Sequence, residues 1–275
     1  MNLVELAPGV YAFVHPAPRY GDTNVGLVID ADGLTLVDAT ATPDRASAIE
    51  RAIRDFAGDL GLPLRRVVLT SSRMPFCGGS DGFRLAAFYG SEATSEQLDA
   101  PANLTGVRAL LPHLAGAYHD EFATRPVTHT VDEPAWLTPA AFGVPLPAEA
   151  PSNLVVQVPG ADAVFAGAAC SFGVTPLGFD GDPVAWIDSL DHLTALGRTI
   201  VPGHGPVGGH ADLADLRSYL VACVDADGAV SRLGSGPWDS WTNPEFHAVN
   251  VERAAALARG RDEVPASLLA LLGLG

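Results

Sequence analysis

Apolar residues change period several times along the chain, and each change marks an element. VYAFV (10–14) reads as a short β-strand. NVGLVID (24–30) and LTLVDAT (34–40), separated by the turn ADG, read as an antiparallel hairpin. From Pro43 the period becomes helical. TPDRA offers a cap with proline in the first turn, and Ala48, Ile49, Ala52, Ile53 and Phe56 recur on one face until about Gly58–Gly61. RRVVLT (65–70) then has the form of a buried strand, and LTSSRMPFCGG (69–79) of the loop that leaves it. GSDGFRLAAFY (79–89) suggests a short helix.

Between about Gly90 and Glu149 the pattern is weakest, with a helical LTGVRALLPHLAGAYH and a strand-like VTHTVD. Order returns in NLVVQVPG and ADAVFAGA, two buried strands joined as a hairpin. DPVAWIDSLDHLTAL places Val184, Ile187, Leu190 and Leu193 at amphipathic spacing. RTIVPGHGP is a short strand running into a glycine-flanked loop. HADLADLRSYLVACVDADG and PEFHAVNVERAAALAR are helical, and GSGPWDSWTN with its two tryptophans lies between them. Strands and helices alternate in two blocks with no dividing linker, so residues 1–275 are expected to form one layered α/β domain with a helical C-terminal tail from about residue 211.

Composition narrows the chemistry. The net charge is −16, and all 16 basic residues are arginine. Schiff-base and P-loop lysine chemistry are therefore excluded, and so acidic a protein repels nucleic-acid backbones and anionic lipid. Cys77, Cys170 and Cys223 form no CxxC pair and no disulfide framework. The N-terminal residues lack the basic and apolar regions of a secretory signal, and no run is long enough to span a membrane. The expectation is a cytoplasmic protein whose partner is a small molecule, with no nucleic acid and no membrane. A homo-oligomer stays open.

Taken in order, TNVGLVID, LTLVDAT, the helix after it, VVLT with its loop ending in GG, LVVQVPGADAVFAG, the helix holding WIDSL, and IVPGHGP resemble the metallo-β-lactamase fold family. NVERAAALARG is similar to the ending of some bacterial members described loosely as hydrolases or cyclases. The resemblance covers nearly the whole chain and implies a four-layer αββα sandwich. It also implies a site for one or two metals, commonly zinc, held by an HxHxDH loop, a later His, an Asp and a final His. In this sequence Ser71 and Arg73 stand at the first two His positions, Pro75 at the Asp and Phe76 at the last His. Glu149 stands near the later His and Ala168 at the Asp, and only His204 remains.

Zinc takes three or four N, S or O donors, and His204 with Glu149 supplies two. A guanidinium at a ligand position repels a divalent cation besides. The expectation is a protein with no metal and no other cofactor. Cys77 or Cys170 could rebuild a displaced Cys-His site, although free cysteine is usually a small core residue.

His204 is a candidate general base, or else a remnant that hydrogen-bonds its loop. Arg73 is a candidate for polarising a carbonyl or holding a carboxylate, against a salt bridge to Glu149 or Asp38. Glu149 and Ser71 complete the candidate catalytic set, with Glu149 otherwise a solvated loop residue. Asp38 resembles the family's loop-supporting Asp. Met74, Phe76, Phe172, Trp238 and Trp241 are candidates for lining an apolar cavity around a flat organic molecule. No GxSxG elbow is present, which disfavours a serine triad. The leading expectation is a metal-independent acid–base enzyme for cyclisation, dehydration, isomerisation or hydrolysis of a small, polyketide-type metabolite. The alternatives are a non-catalytic binding protein and a residual metallohydrolase. A sealed cavity with His204 facing inward would favour catalysis, and a side-chain-filled site would favour binding.

Overall fold

A computed structural model describes residues 1–274. Sheet A runs in the order β1 (Asn2–Ala7), β2 (Val10–Val14), β3 (Val25–Asp30), β4 (Gly33–Val37), β5 (Leu64–Val68), β6 (Ala87–Gly90), β7 (His129–Thr130). Its first four strands are an antiparallel meander, and the rest are parallel. Sheet B contains β8 (Ala135–Trp136), β9 (Phe142–Leu146), β10 (Asn153–Val158), β11 (Ala163–Ser171) and β12 (Thr199–His204), with β11 and β12 parallel and the other pairs antiparallel.

The central strands are buried on both faces, and alternate residues serve different layers. Leu34, Leu36, Val67 and Leu69 meet Ala46, Ile49 and Ile53 of α1 (Pro43–Ala57) on the outer side of sheet A. Val28, Val37 and Val68 face inward and meet Leu154, Val156 and Phe165 of sheet B. Gly26 makes that closeness feasible, since a Cβ there would lie 2.6 Å from the Phe165 ring. On the far side of sheet B, Val155, Val164 and Ala166 pack under α5 (Pro183–Leu196) and α6 (His210–Asp225). The four layers are thus α, β, β and α, as the resemblance implied.

The remaining helices are α2 (Met74–Cys77), α3 (Glu92–Asp99), α4 (Leu104–Leu110), α7 (Phe246–Ala258) and α8 (Ala266–Leu271). Several local expectations are corrected. Residues 79–89 are not a helix. Ser80–Phe83 is a single 3-10 turn, and Ala87–Gly90 extends to pair with β5, which buries Phe88 completely. The helical reading of 104–119 breaks after Leu110, because Pro112 pushes Leu111 out of the α region (φ −121°, ψ 59°). On α5 the buried face is Trp186, Ser189, Leu190 and Leu193, while Val184 is exposed. The Trp186 indole N–H donates to the Ala169 carbonyl at 2.8 Å, which fixes that rotation. β1 and α8 had no clear signal, since the edge strand β1 shows no buried face to alternate with.

Candidate functional site

The site lies at one edge of the sandwich, where the turn leaving β5 meets the loops of sheet B. Asp38, just past β4, adopts a left-handed φ of 67° and is fully buried. Its carboxylate accepts from Thr70 N at 2.8 Å and Thr70 Oγ1 at 2.9 Å, and Thr70 Oγ1 in turn accepts from Ala168 N at 3.1 Å. Asp38 therefore supports the turn, as expected, and does not pair with Arg73. Burial drives its carboxyl up to about 8.

From Thr70 the chain enters α2 through Arg73 at the N-cap, with Pro75 in the first turn. Gly78 then packs flat against α1's approach, since a Cβ there would drive into the Ala41 carbonyl. Ser71 is buried and its Oγ accepts from the Arg73 backbone N–H at 3.3 Å, so it serves the turn. Cys77 donates to the Ser72 carbonyl at 3.0 Å, and burial pushes its thiol up. Cys170 is likewise buried in the core with its thiol pushed up, so neither cysteine gathers ligands.

The Arg73 side chain reaches across to sheet B. Nη1 donates to the Leu177 carbonyl. Nη2 donates to the Glu149 carbonyl at 2.6 Å and to the Asp180 carboxylate. Nε lies 3.5 Å from Glu149 Oε1 without hydrogen-bond geometry, and the guanidinium stacks 4.2 Å from the Phe179 ring centroid. The salt-bridge reading of Arg73 is thus the one observed, with Asp180 as an unanticipated partner. Glu149 is not a solvated loop residue: it is 2% exposed, and its Oε1 has no hydrogen-bond partner. Burial outweighs the nearby Arg73 and holds its carboxyl up to about 7.

His204 ends β12 and is sealed. Its ring lies 5.0 Å from Tyr20 and 5.3 Å from Phe76, centroid to centroid. Nδ1 donates to the Asp22 carbonyl at 3.4 Å, which leaves Nε2 as a bare acceptor, and Nε2 has no partner. Burial pulls the imidazole down to about 4. A base tuned near neutral pH is therefore not what the surroundings make of it; it is a neutral ring at pH 7.

A cavity of about 310 Å³ opens beside Arg73, and Tyr20, Arg73, Met74, Leu110, Phe179 and Asp180 are among its walls. Of the residues expected to form the pocket, Arg73 and Met74 do. Phe76 is buried beneath it against His204, and His204, Glu149 and Ser71 do not line it. Phe172, Trp238 and Trp241 are corrected outright: they belong to the core outside sheet B, where both tryptophans pack on Tyr219 at 5.7 and 5.3 Å. Tyr20, Phe179 and Asp180 were missed. They lie in loops without periodicity, and their placement depends on contacts more than 50 residues away.

The fold implies a metal here, and the donors do not fit one. Pro75, Phe76 and Ala168 carry no ligand atom, Ser71 is committed to the turn, and a guanidinium stands in the cavity. Among the described residues no group of three or more His, Cys, Asp or Glu is placed to hold a metal ion.

No protein-family model matches the sequence. Solved structures do. A metallo-β-lactamase from Hirschia baltica superposes with a TM-score of 0.60 at 18% identity, over 80% of this chain and 96% of that one. The mono-zinc form of a metallo-β-lactamase from Pseudomonas aeruginosa gives 0.58 at 18% identity, over 78% and 91%. A stereoselective inverting sec-alkylsulfatase from a Pseudomonas species gives 0.70 at 16% identity, over 93% of this chain and 50% of that longer one. The fold is therefore the metallo-β-lactamase fold, a scaffold that these hydrolases share. No helix among the described residues is long and apolar enough to cross a membrane.

Proposed function

We propose that this chain, on a metallo-β-lactamase fold whose metal positions are refilled, works without metal as a binding protein for a small, uncharged, mainly apolar organic molecule in the cytoplasm. The observation that carries this reading is the separation of cavity from histidine. The cavity ends on Arg73 and Tyr20, while His204 lies sealed outside it. At about 310 Å³ it is at the small end of ligand sites. Its charged groups, Arg73 and Asp180, are paired with each other, and its other polar groups, Tyr20, Ser72, Gln97 and Asn103, are neutral. A net charge of −16 further disfavours anions.

The second reading is acid–base catalysis on the same molecule: cyclisation, dehydration, isomerisation or hydrolysis of a polyketide-type metabolite. It is favoured by the Glu149 carboxyl, which burial pushes up to about 7 directly behind Arg73. In it Arg73 meets the substrate and Glu149 acts through Arg73 from behind the cavity wall, while Ser71 and His204 hold the turn and loop around them.

A thermal-shift screen of neutral aromatic and alicyclic compounds, with elemental analysis of the dialysed protein, tests the first reading. The expected result is saturable stabilisation by some of them and well under one metal per chain. About one zinc or iron per chain, or no stabilisation by any compound, would overturn it. Product formation that is lost in Glu149→Gln would move the assignment to the second reading.

A further inference from the structure

We propose that residues 97–110 are a lid over the cavity, and that the ligand enters and leaves by its lifting. This rests on the cavity being a small-molecule site. The segment supplies Gln97, Pro101, Asn103, Val107 and Leu110 to the lining, and Arg73, Met74 and Phe179 are among the residues that supply the rest.

The segment is weak on its own and complete in itself. α3 has eight residues and α4 seven, lengths at which a helix without tertiary support is marginal in water. Each carries its own cap. The Ser91 hydroxyl oxygen accepts from Thr94 N at 3.1 Å, and Asn103 Oδ1 accepts from Gly106 N at 3.0 Å. Tertiary support is slight as well. Among the described residues, every hydrogen bond of residues 98–110 stays within residues 91–120. Thr94 is the one buried residue of α3, and α4 has none. Leu104, Val107 and Leu110 lie half-buried on the cluster that holds Tyr20, Leu177 and Phe246, and Leu98 lies half-buried on the outer core of sheet A. These four side chains and the Ser72 hydroxyl, which donates to Gln97 Oε1, hold the segment down.

Both ends, by contrast, are fixed. Upstream, Glu92 N donates to Asp132 Oδ1 at 2.8 Å, and Thr94 is buried. Downstream, Leu111 is buried against Gly21, where a Cβ would lie 2.6 Å from Leu111 Cδ2. Tyr118 is fully buried, and its hydroxyl donates to the Ala41 carbonyl at 2.9 Å. A self-capped segment held lightly between two fixed points lifts without unfolding the layers beneath it. The side of the cavity formed by Phe179 and Asp180 is pinned by Arg73, so the lid is the side that moves.

Hydrogen exchange and stopped-flow binding of 2-ethylnaphthalene, followed by the probe's own fluorescence, test the lid. In the free protein the Val107 amide, bonded to Asn103 O, should exchange on the order of a hundredfold faster than the Trp186 amide, bonded to Asp182 O. Probe at about ten times Kd should slow Val107 exchange about tenfold and leave Trp186 unchanged. Leu104 rests on the cluster without lining the cavity. Leu104→Ala should therefore loosen the lid alone, raising association and release rates together by about fivefold, with Kd within about twofold. Val107 exchange as slow as that of Trp186 in the free protein would overturn the lid while leaving the cavity reading standing. So would unchanged rates in Leu104→Ala, or faster release without faster association. If the probe does not bind wild type, the cavity reading fails and this inference with it. Circular dichroism of Leu104→Ala separates a loosened lid from a lost fold.

Discussion

The Glu149 carboxyl is pushed up to about 7 by burial, and that has a definite consequence for stability. The folded group titrates at about 7 against an ordinary value of 4.5, so folding takes up a proton between those limits. The contribution is fully present below about pH 4.5 and is lost as pH rises through about 7. Glu149→Gln is permanently neutral and keeps a similar shape. Its stability relative to wild type should therefore rise between about pH 5 and pH 8, by on the order of 3 kcal/mol. Asp38 shifts in the same direction, to about 8, chiefly by its own burial, and that part is common to both proteins. Urea unfolding at several pH values measures it, and a pH-independent difference would show that the carboxyl is ionised throughout. In the sequence, the vacated ligand positions were legible one by one, because Ser71, Arg73, Pro75 and Phe76 could be set against a spacing. Burial was not. Glu149 in AEAPSN has the composition of a solvated loop, yet it is buried with Arg73 beside it.

The element that shapes the cavity wall is the irregular segment between β11 and α5, and the C-terminal helix α7 holds it. Asn250 Oδ1 accepts from Gly178 N at 2.9 Å, and Asn250 Nδ2 donates to the Pro176 carbonyl at 2.7 Å. One turn on, Arg253 donates to the carbonyls of Gly181 at 3.0 Å and Asp180 at 3.1 Å. Residues three apart share a helix face, so Asn250 and Arg253 act as one clamp on the segment whose Leu177, Phe179 and Asp180 surround Arg73. Asn250→Ala should leave the Gly178 amide without its acceptor and accelerate its hydrogen exchange about tenfold or more. The Trp186 amide, bonded to Asp182 at the start of α5, should keep its protection. Equal acceleration at both would mean that the clamp stabilises the whole layer. At this scale α1, α5 and α6 could be read from one repeating buried face, and the two hairpins from short apolar runs on either side of a turn. The wall could not, since a loop has no period and gains its conformation from α7. NVERAAALARG reads as a helical tail, and its Asn250 and Arg253 do this work.

Across the whole molecule, the two sheets are joined in two ways that differ in size. The broad joint is the inner core, where Val28, Val37 and Val68 meet Leu154, Val156 and Phe165. The narrow joint is at the site edge, where Arg73, from the sheet A side, donates to Leu177, Glu149 and Asp180, all from the sheet B side. A metal with ligands from both sides would make such a tie in this fold, and here a single permanent charge makes it. Arg73→Met removes the cation and leaves the Leu177 and Glu149 carbonyls and the Asp180 carboxylate without their donor, which costs on the order of 3 kcal/mol. Lysine should recover less than half, because an ammonium cannot keep the planar spread of bonds. All four tryptophans, Trp136, Trp186, Trp238 and Trp241, lie on the sheet B side, so their fluorescence reports that half while far-UV dichroism reports both. Burial of the inner core far exceeds one ion pair in free energy, since each fully buried aliphatic side chain contributes about 1.5–3 kcal/mol. The two urea transitions of Arg73→Met should therefore shift down together, by about 1 M, and remain coincident. If the fluorescence transition moved alone, the guanidinium rather than the inner core would be what makes the two halves unfold as one.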